Sequence, residues 1–218
     1  MELPTVADDS ICWDNMFYMP TEEPAGRIES GPFDLWDTCL SEAESIGLKY
    51  ETDKDGKKKI LTPREKDSKG EWEFSRLPEM HAKVVRTPSF FKWFGDWMAS
   101  NKEHVSKVVY WDTGEPRPLV HATRSRIPNK LEPQTSLRGQ KKLWFAESIS
   151  TARGHRPEGD VYFAFINLRN PMRSQNSDEY IDYRNDGLIV TPDDRFKKDY
   201  DYCVREGHQV MQIPAIKQ

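Results

Sequence analysis

In this 218-residue chain the residues able to do chemistry are sparse, and their spacing narrows what that chemistry can be. Five histidines (His81, His104, His121, His155, His208) are scattered without metal-ligand spacing. Three cysteines (Cys12, Cys39, Cys203) lie far apart, form no CxxC pair and cannot all pair with one another. That excludes a zinc ribbon and a disulfide scaffold and fits a reducing compartment. No GxxxxGK[ST], GxGxxG, HExxH or GxSxG is present. Three short pieces of the C-terminal half remain. In Leu119-Val120-His121-Ala122-Thr123 a histidine ends a β-prone run, followed by a small residue and a hydroxyl. Residues 143–155 read as a strand and a capped turn of helix, with Trp144 and His155 eleven residues apart. The terminal strand carries Glu206, Gly207, Gln209 and Val210. Taken singly, a strand-end histidine is a structural residue and an aromatic pair such as Trp144-Phe145 is core.

Taken in order, these pieces resemble the ADP-ribosyltransferases of the diphtheria-toxin and poly-ADP-ribose-polymerase type. Those have a first-strand His-Gly-Ser/Thr, an aromatic strand with a second ring eleven residues on, and a last strand that opens with a glutamate and runs to Gln-Val or Gln-Ile. His121-Ala122-Thr123 is similar to the first motif, and Trp144 and His155 to the ring pair. Lys92-Trp93-Phe94-Gly95-Asp96, Ser106–Val109, Gly114-Glu115-Pro116, Phe165–Pro171 and Asp186–Ile189 resemble the phage and mobile-element polyvalent-protein members. The resemblance spans residues 88–218. It implies a split antiparallel β-sandwich with a few peripheral helices and NAD⁺ as cofactor and substrate. The implied activity is mono-ADP-ribosyl transfer to a macromolecule, protein by default or nucleic acid, in the cytoplasm of this or a target cell. His121 would hydrogen-bond a ribose hydroxyl, the Ala122 backbone would hold the nicotinamide amide, and Thr123 would assist. Trp144 and His155 would sandwich the ring, with His155 neutral so that it does not repel the cationic nicotinamide. Glu206 would enter the cleft as catalytic acid through a one-residue bulge. Gln209 is the alternative at that position and supplies no negative charge. An inactive NAD⁺-binding or partner-binding module is the competing reading.

The elements that must position these groups are those of an α+β fold. Apolar residues at helical spacing predict a helix over 34–46, ended by Gly47. Asp55-Gly56 predicts a hairpin turn, and Glu71–Phe74 has strand patterning. A second helix follows Thr87, with Pro88 at its first position and an apolar face of Phe90, Phe91, Phe94, Trp97 and Met98. Strands are expected over 105–111, 118–121, 143–145, 161–168, 187–190 and 209–213, with a short helix from near Glu147. Strands that succeed strands without crossover helices predict an antiparallel sheet.

Residues 1–87 read as an acidic extension packing on a main domain of 88–218, with 1–31 as a loosely structured arm. Net charge is −9 over residues 1–50, +2 over 51–87 and +3 over 88–218. The acidic head reads as a solvated flank, an intramolecular cover or a surface for a basic partner. No apolar run approaches the roughly 20 residues of a membrane span, and the N-terminus lacks the pattern of a secretory signal.

Overall fold

Local sequence starts the helices and the hairpin in the computed structural model, which describes residues 32–63, 74–124, 131–136, 139–192 and 199–214, with backbone only for 32–34. The expected arm over 1–31 and most of the expected strand Glu71–Phe74 lie outside these residues. Helix α1 spans Pro32–Ala43. Strands β1 (Tyr50–Thr52) and β2 (Lys58–Ile60) pair antiparallel around the Asp55-Gly56 turn, where Gly56 takes a φ of 79°. A helix that the apolar spacing did not signal, α2, covers Glu79–Val84. Helix α3, Pro88–Phe94, begins where Thr87 Oγ1 accepts from Phe90 N (3.3 Å).

The rest is strand: β3 (Leu119–Thr123), β4 (Gln134–Thr135), β5 (Lys141–Ala146), β6 (Asp160–Ile166), β7 (Met172–Ser174), β8 (Gly187–Val190), β9 (Asp201–Val204) and β10 (Val210–Ile213), with α4 (Ile149–His155) between β5 and β6. The fold is mixed α+β. Two expectations need correction. The 105–111 stretch makes only one isolated bridge, Val109 to Pro116, because Pro116 and Pro118 have no N–H with which to extend a ladder. The sheet is mostly but not wholly antiparallel, since β7 pairs parallel with β8.

The eight strands run β10-β6-β3-β5-β9-β8-β7, with β4 on the edge of β5. Strands β3 and β6 pair along five positions, and β5 and β9 along four, but β3 and β5 meet only at Val120 and Ala146. Beyond that pair the sheet parts into two halves. The halves also fold toward each other. Asn167 follows β6 and Asp186 precedes β8, strands far apart in the sheet order. Yet the Gln209 side-chain amide donates to the carbonyls of both, at 3.1 and 2.8 Å. One core lies between the halves, with Leu119, Ala164, Ile166 and Val210 from one and Leu143, Phe145, Ile189 and Val204 from the other.

Alternation along β6 and β10 sends Phe165, Met211 and Ile213 to the opposite face, where Trp36, Cys39, Ala82, Val84, Phe90 and Phe94 cover them. His81 sits in this second core, edge-on to Trp36 and Phe165 (ring centroids 5.7 and 6.1 Å). Burial lowers its pKa from 6.5 to about 4. The unfolded chain therefore takes up this proton first as the pH falls. Stability is full above pH 6.5 and declines between 6.5 and about 4, by about 3 kcal/mol from this group. Thermal midpoints measured from pH 7 to 4 should fall over that window, and His81→Leu should flatten the fall.

The second core is fastened by a buried ion pair. Glu115, fully buried, accepts from Arg86 (3.2 Å), the Ser75 hydroxyl (2.8 Å) and Arg76 N (3.1 Å). Removing one partner leaves the other charge buried and unpaired. Glu115→Ala should lower unfolding free energy by about 3–5 kcal/mol, read from the urea midpoint.

Candidate functional site

The parting between β3 and β5 begins at His121. Its neighbour Val120 is the last residue paired across to β5, and His121 Nδ1 donates to the Trp144 carbonyl at 2.7 Å. A carbonyl only accepts, so Nδ1 carries the proton and Nε2 is left as an acceptor. Burial lowers the His121 pKa, with the Trp144 carbonyl opposing that shift, so the ring is neutral near pH 7. The imidazole also lies against Phe145, ring centroids 5.7 Å apart. Ala122 and Thr123 follow along β3, half-buried, still paired to β6 and no longer to β5.

Alternation places the other groups. Val120, Ala146 and Asp201 occupy one row across β3, β5 and β9 and share a face of the sheet, and Trp144, two residues from Ala146, is on that face too. Helix α4 packs there, with Ala152 against Val120 and Ala146, and His155 is its last residue. His155 Nε2 lies 3.8 Å from Asp201 Oδ1. Phe145 is 2% exposed and belongs to the core between the halves, while Trp144 is half-buried, with Lys142 Nζ 5.7 Å from its ring. The structure thus gathers Trp144, His155 and Asp201 on one face, whereas the His121 ring, one residue on from Val120, lies on the other face with Phe145 and reaches Trp144 only through its carbonyl.

Two side-chain ties hold β9 in place. Tyr202, next to Asp201, donates its hydroxyl to Glu147 Oε1 (2.7 Å), and Arg117 donates to the same oxygen (2.7 Å). Burial raises the Glu147 pKa, against the pull of Arg117, and burial with the Glu147 charge raises that of Tyr202. Beside them, the hydroxyls of Ser148 and Thr151 both donate to Asp199 Oδ2 at 2.6 Å. Ser148 Oγ in turn caps α4 by accepting from Thr151 N (3.1 Å). The start of β9 is therefore tied to the end of β5 and the start of α4.

The terminal motif is corrected. Strand β10 starts at Val210 and pairs with β6 in unbroken register, so no bulge carries Glu206 into the parting. Glu206 instead precedes a 3₁₀ turn, Gly207–Gln209, and pairs with His208 (3.0 Å). Gln209 is 5% exposed, and its amide is fully used. Its two donors go to Asn167 O and Asp186 O, and its oxygen accepts from Arg205 N (3.1 Å) and Glu206 N (3.0 Å). It has nothing left for a ribose. Both residues line a separate cavity of about 490 Å³ with Asn167, Arg169, Asp186 and Arg205.

Asp201 was not singled out from the sequence. The usable signal was an acid opening the short β-prone run Asp-Tyr-Cys-Val, eight residues before Gln209-Val210. Among the described residues, no cluster of three or more histidine, cysteine, aspartate or glutamate side chains could hold a metal ion, and no helix is long and apolar enough to cross a membrane. No family model, curated protein or solved structure matches the chain.

Tyr202→Phe removes the tie between β9 and Glu147 while leaving the Arg117 pair. It should cost about 1–3 kcal/mol and speed amide hydrogen exchange in Asp201–Val204 more than in β6.

Proposed function

We propose that this chain is an NAD⁺-dependent mono-ADP-ribosyltransferase acting in the parting between β3 and β5. The observation that carries the reading is that parting itself, with a neutral His121 at its start, anchored to the Trp144 carbonyl, and Trp144, His155 and Asp201 together on the other face of the sheet. The strand order, with the β3 and β5 halves folded toward each other, is compatible with the split β-sandwich implied by the sequence resemblance. The reading also revises that resemblance at one position. The glutamate that opens the acid-bearing strand corresponds here to Asp201, which opens β9 ahead of Gln209-Val210.

NAD⁺ supplies a glycosidic bond whose cleavage releases neutral nicotinamide and leaves positive charge on the ribose. His121 Nε2, an acceptor because Nδ1 is spent on Trp144, accepts from a ribose hydroxyl and fixes the sugar. Trp144 and His155 offer ring faces to the nicotinamide, each stack worth on the order of 1 kcal/mol. The Ala122 backbone, released from β5, is free to bond the carboxamide, with Thr123 beside it. Asp201 places negative charge near the sugar, where charge develops in the transition state. The Tyr202–Glu147 tie and the Asp199 hydroxyl pair act through Asp201 by fixing the strand that bears it. The acceptor is a macromolecule.

A second reading has its own support. Asp201 is one methylene shorter than glutamate and only 6% exposed, which fits a domain that binds NAD⁺ without turning it over. Nicotinamide release separates the two. Wild type should release it, and His121→Ala and Asp201→Asn should each slow release by at least about 100-fold. Glu206→Gln should retain it. Loss in Glu206→Gln with retention in Asp201→Asn would return the acid role to Glu206. A rise in melting temperature with NAD⁺ but no nicotinamide would establish the binding module.

A further inference from the structure

The cavity at the far end of β9 is not used by the proposed reaction. It is polar and open, and its volume of about 490 Å³ falls in the range of small-ligand sites, about 300–1,000 Å³. Three guanidinium groups reach its wall from separate segments: Arg169 after β6, Arg184 before β8 and Arg205 after β9. Two of them are held by neutral partners. Arg205 Nη1 donates to the carbonyls of Asp182 (3.3 Å) and Asn185 (3.1 Å), and Arg169 Nη2 to those of Trp93 (2.6 Å) and Lys92 (3.3 Å). Neither makes a direct ion pair among the described residues, so both are fixed in orientation by neutral carbonyls.

Of the carboxylates nearby, Asp182 and Asp186 are hydrogen-bonded within the protein, and Asp186 Oδ1 is buried without a hydrogen-bond partner. Asp182 takes both Nε and Nη2 of Arg184 (3.0 and 3.1 Å). Asp186 Oδ2 accepts two backbone N–H groups, from Arg169 (2.6 Å) and Asn170 (3.1 Å), and Glu206 pairs with His208. The wall therefore offers an anion two fixed guanidinium groups, Arg169 and Arg205, that no carboxylate bonds directly among the described residues.

An exposed aromatic ring lines the same cavity. Tyr183 is 84% exposed, with the Arg184 guanidinium 5.7 Å from its ring, and Tyr180 on the same loop is 63% exposed. A tyrosine held in water beside fixed guanidinium groups is the combination that takes an unpaired base by stacking and its phosphate by charge. We infer that this cavity binds a nucleotide unit, with its phosphate on Arg205 and Arg169 and its base on Tyr183. A phosphopeptide would use the arginines but not the ring. The inference is independent of the NAD⁺ reading, because the cavity shares none of the side chains assigned to NAD⁺.

Fluorescence anisotropy of a short labelled oligothymidylate, with the full chain at low salt, tests it. Wild type should bind, with affinity falling as salt rises. Tyr183→Ala, at a side chain too exposed to matter for folding, should weaken binding about tenfold. Arg205→Ala should weaken it similarly, and Arg205→Lys, which keeps the charge but not the fork, should weaken it less. Competition by AMP as strong as by the unlabelled strand identifies a free nucleotide as the source, and much weaker competition by AMP identifies a single strand. Either result upholds the site. No binding by wild type, unchanged binding in Tyr183→Ala, or equal competition by a phosphopeptide overturns it.

Discussion

A sheet joined across its middle by one residue pair cannot hold its own shape, and Gln209 resolves that problem here. Among the described residues Val120 and Ala146 are the only backbone-paired residues of β3 and β5, so the angle between the halves is set elsewhere. Gln209 sets it from beneath. With one amide it binds the end of β6, the approach to β8 and the turn out of β9. All of its hydrogen-bonding capacity is spent inside the protein, where a lost partner would leave a buried polar group unpaired. The apolar core between the halves, with Leu119, Phe145, Ile166 and Val204, then packs against a geometry already closed at that end. The opposite end stays parted, and His121 lies there.

The site inherits its electrostatics from this arrangement. A histidine beside a paired strand would find its ring nitrogens competing with ladder hydrogen bonds. At the parting, the Trp144 carbonyl is available to His121, and that single bond fixes both the tautomer and the ring plane. Burial then keeps the imidazole neutral. The acid on the next strand is handled differently. Asp201 is steadied through neighbours on both sides, Tyr202 reaching Glu147 and Asp199 reaching α4, so two buried or half-buried carboxylates serve to place a third.

Much of this was legible in the residues. Thr87-Pro88 announced α3, Asp55-Gly56 the hairpin, and Ser148 the cap of α4, because each acts through its immediate backbone. The β-prone runs 118–121 and 143–145 announced β3 and β5 by composition, short of their full extent. The short elements were harder to read. Helix α2 has six residues, with His81 and Ala82 on its buried side, and no periodicity accumulates over so short a span. Strand β9 is four residues buried on both faces, so it lacks the alternation that marks a half-exposed strand. With β9 unread, Glu206 and Gln209 were the candidates for an acid position, and the hydrogen bonds of Gln209 were hidden because its partners lie 3 to 42 residues away. Chain distance also hid the parting, which is a property of pairings and not of any one strand.

The apolar reverse of β6 and β10 lies against residues that come before position 88. Phe165, Met211 and Ile213 are covered by Trp36, Cys39, Ala82 and Val84, and Glu42 of α1 accepts from both Ser89 N and its hydroxyl (3.0 and 2.6 Å) at the first turn of α3. The stretch that sequence similarity leaves out is thus one wall of the building and not an annex. A chain begun at residue 88 would present that face to water as a sticky sheet surface and strand a buried carboxylate at Glu115 without Arg86. Any comparison of this protein by its C-terminal motifs alone therefore compares something that could not stand by itself.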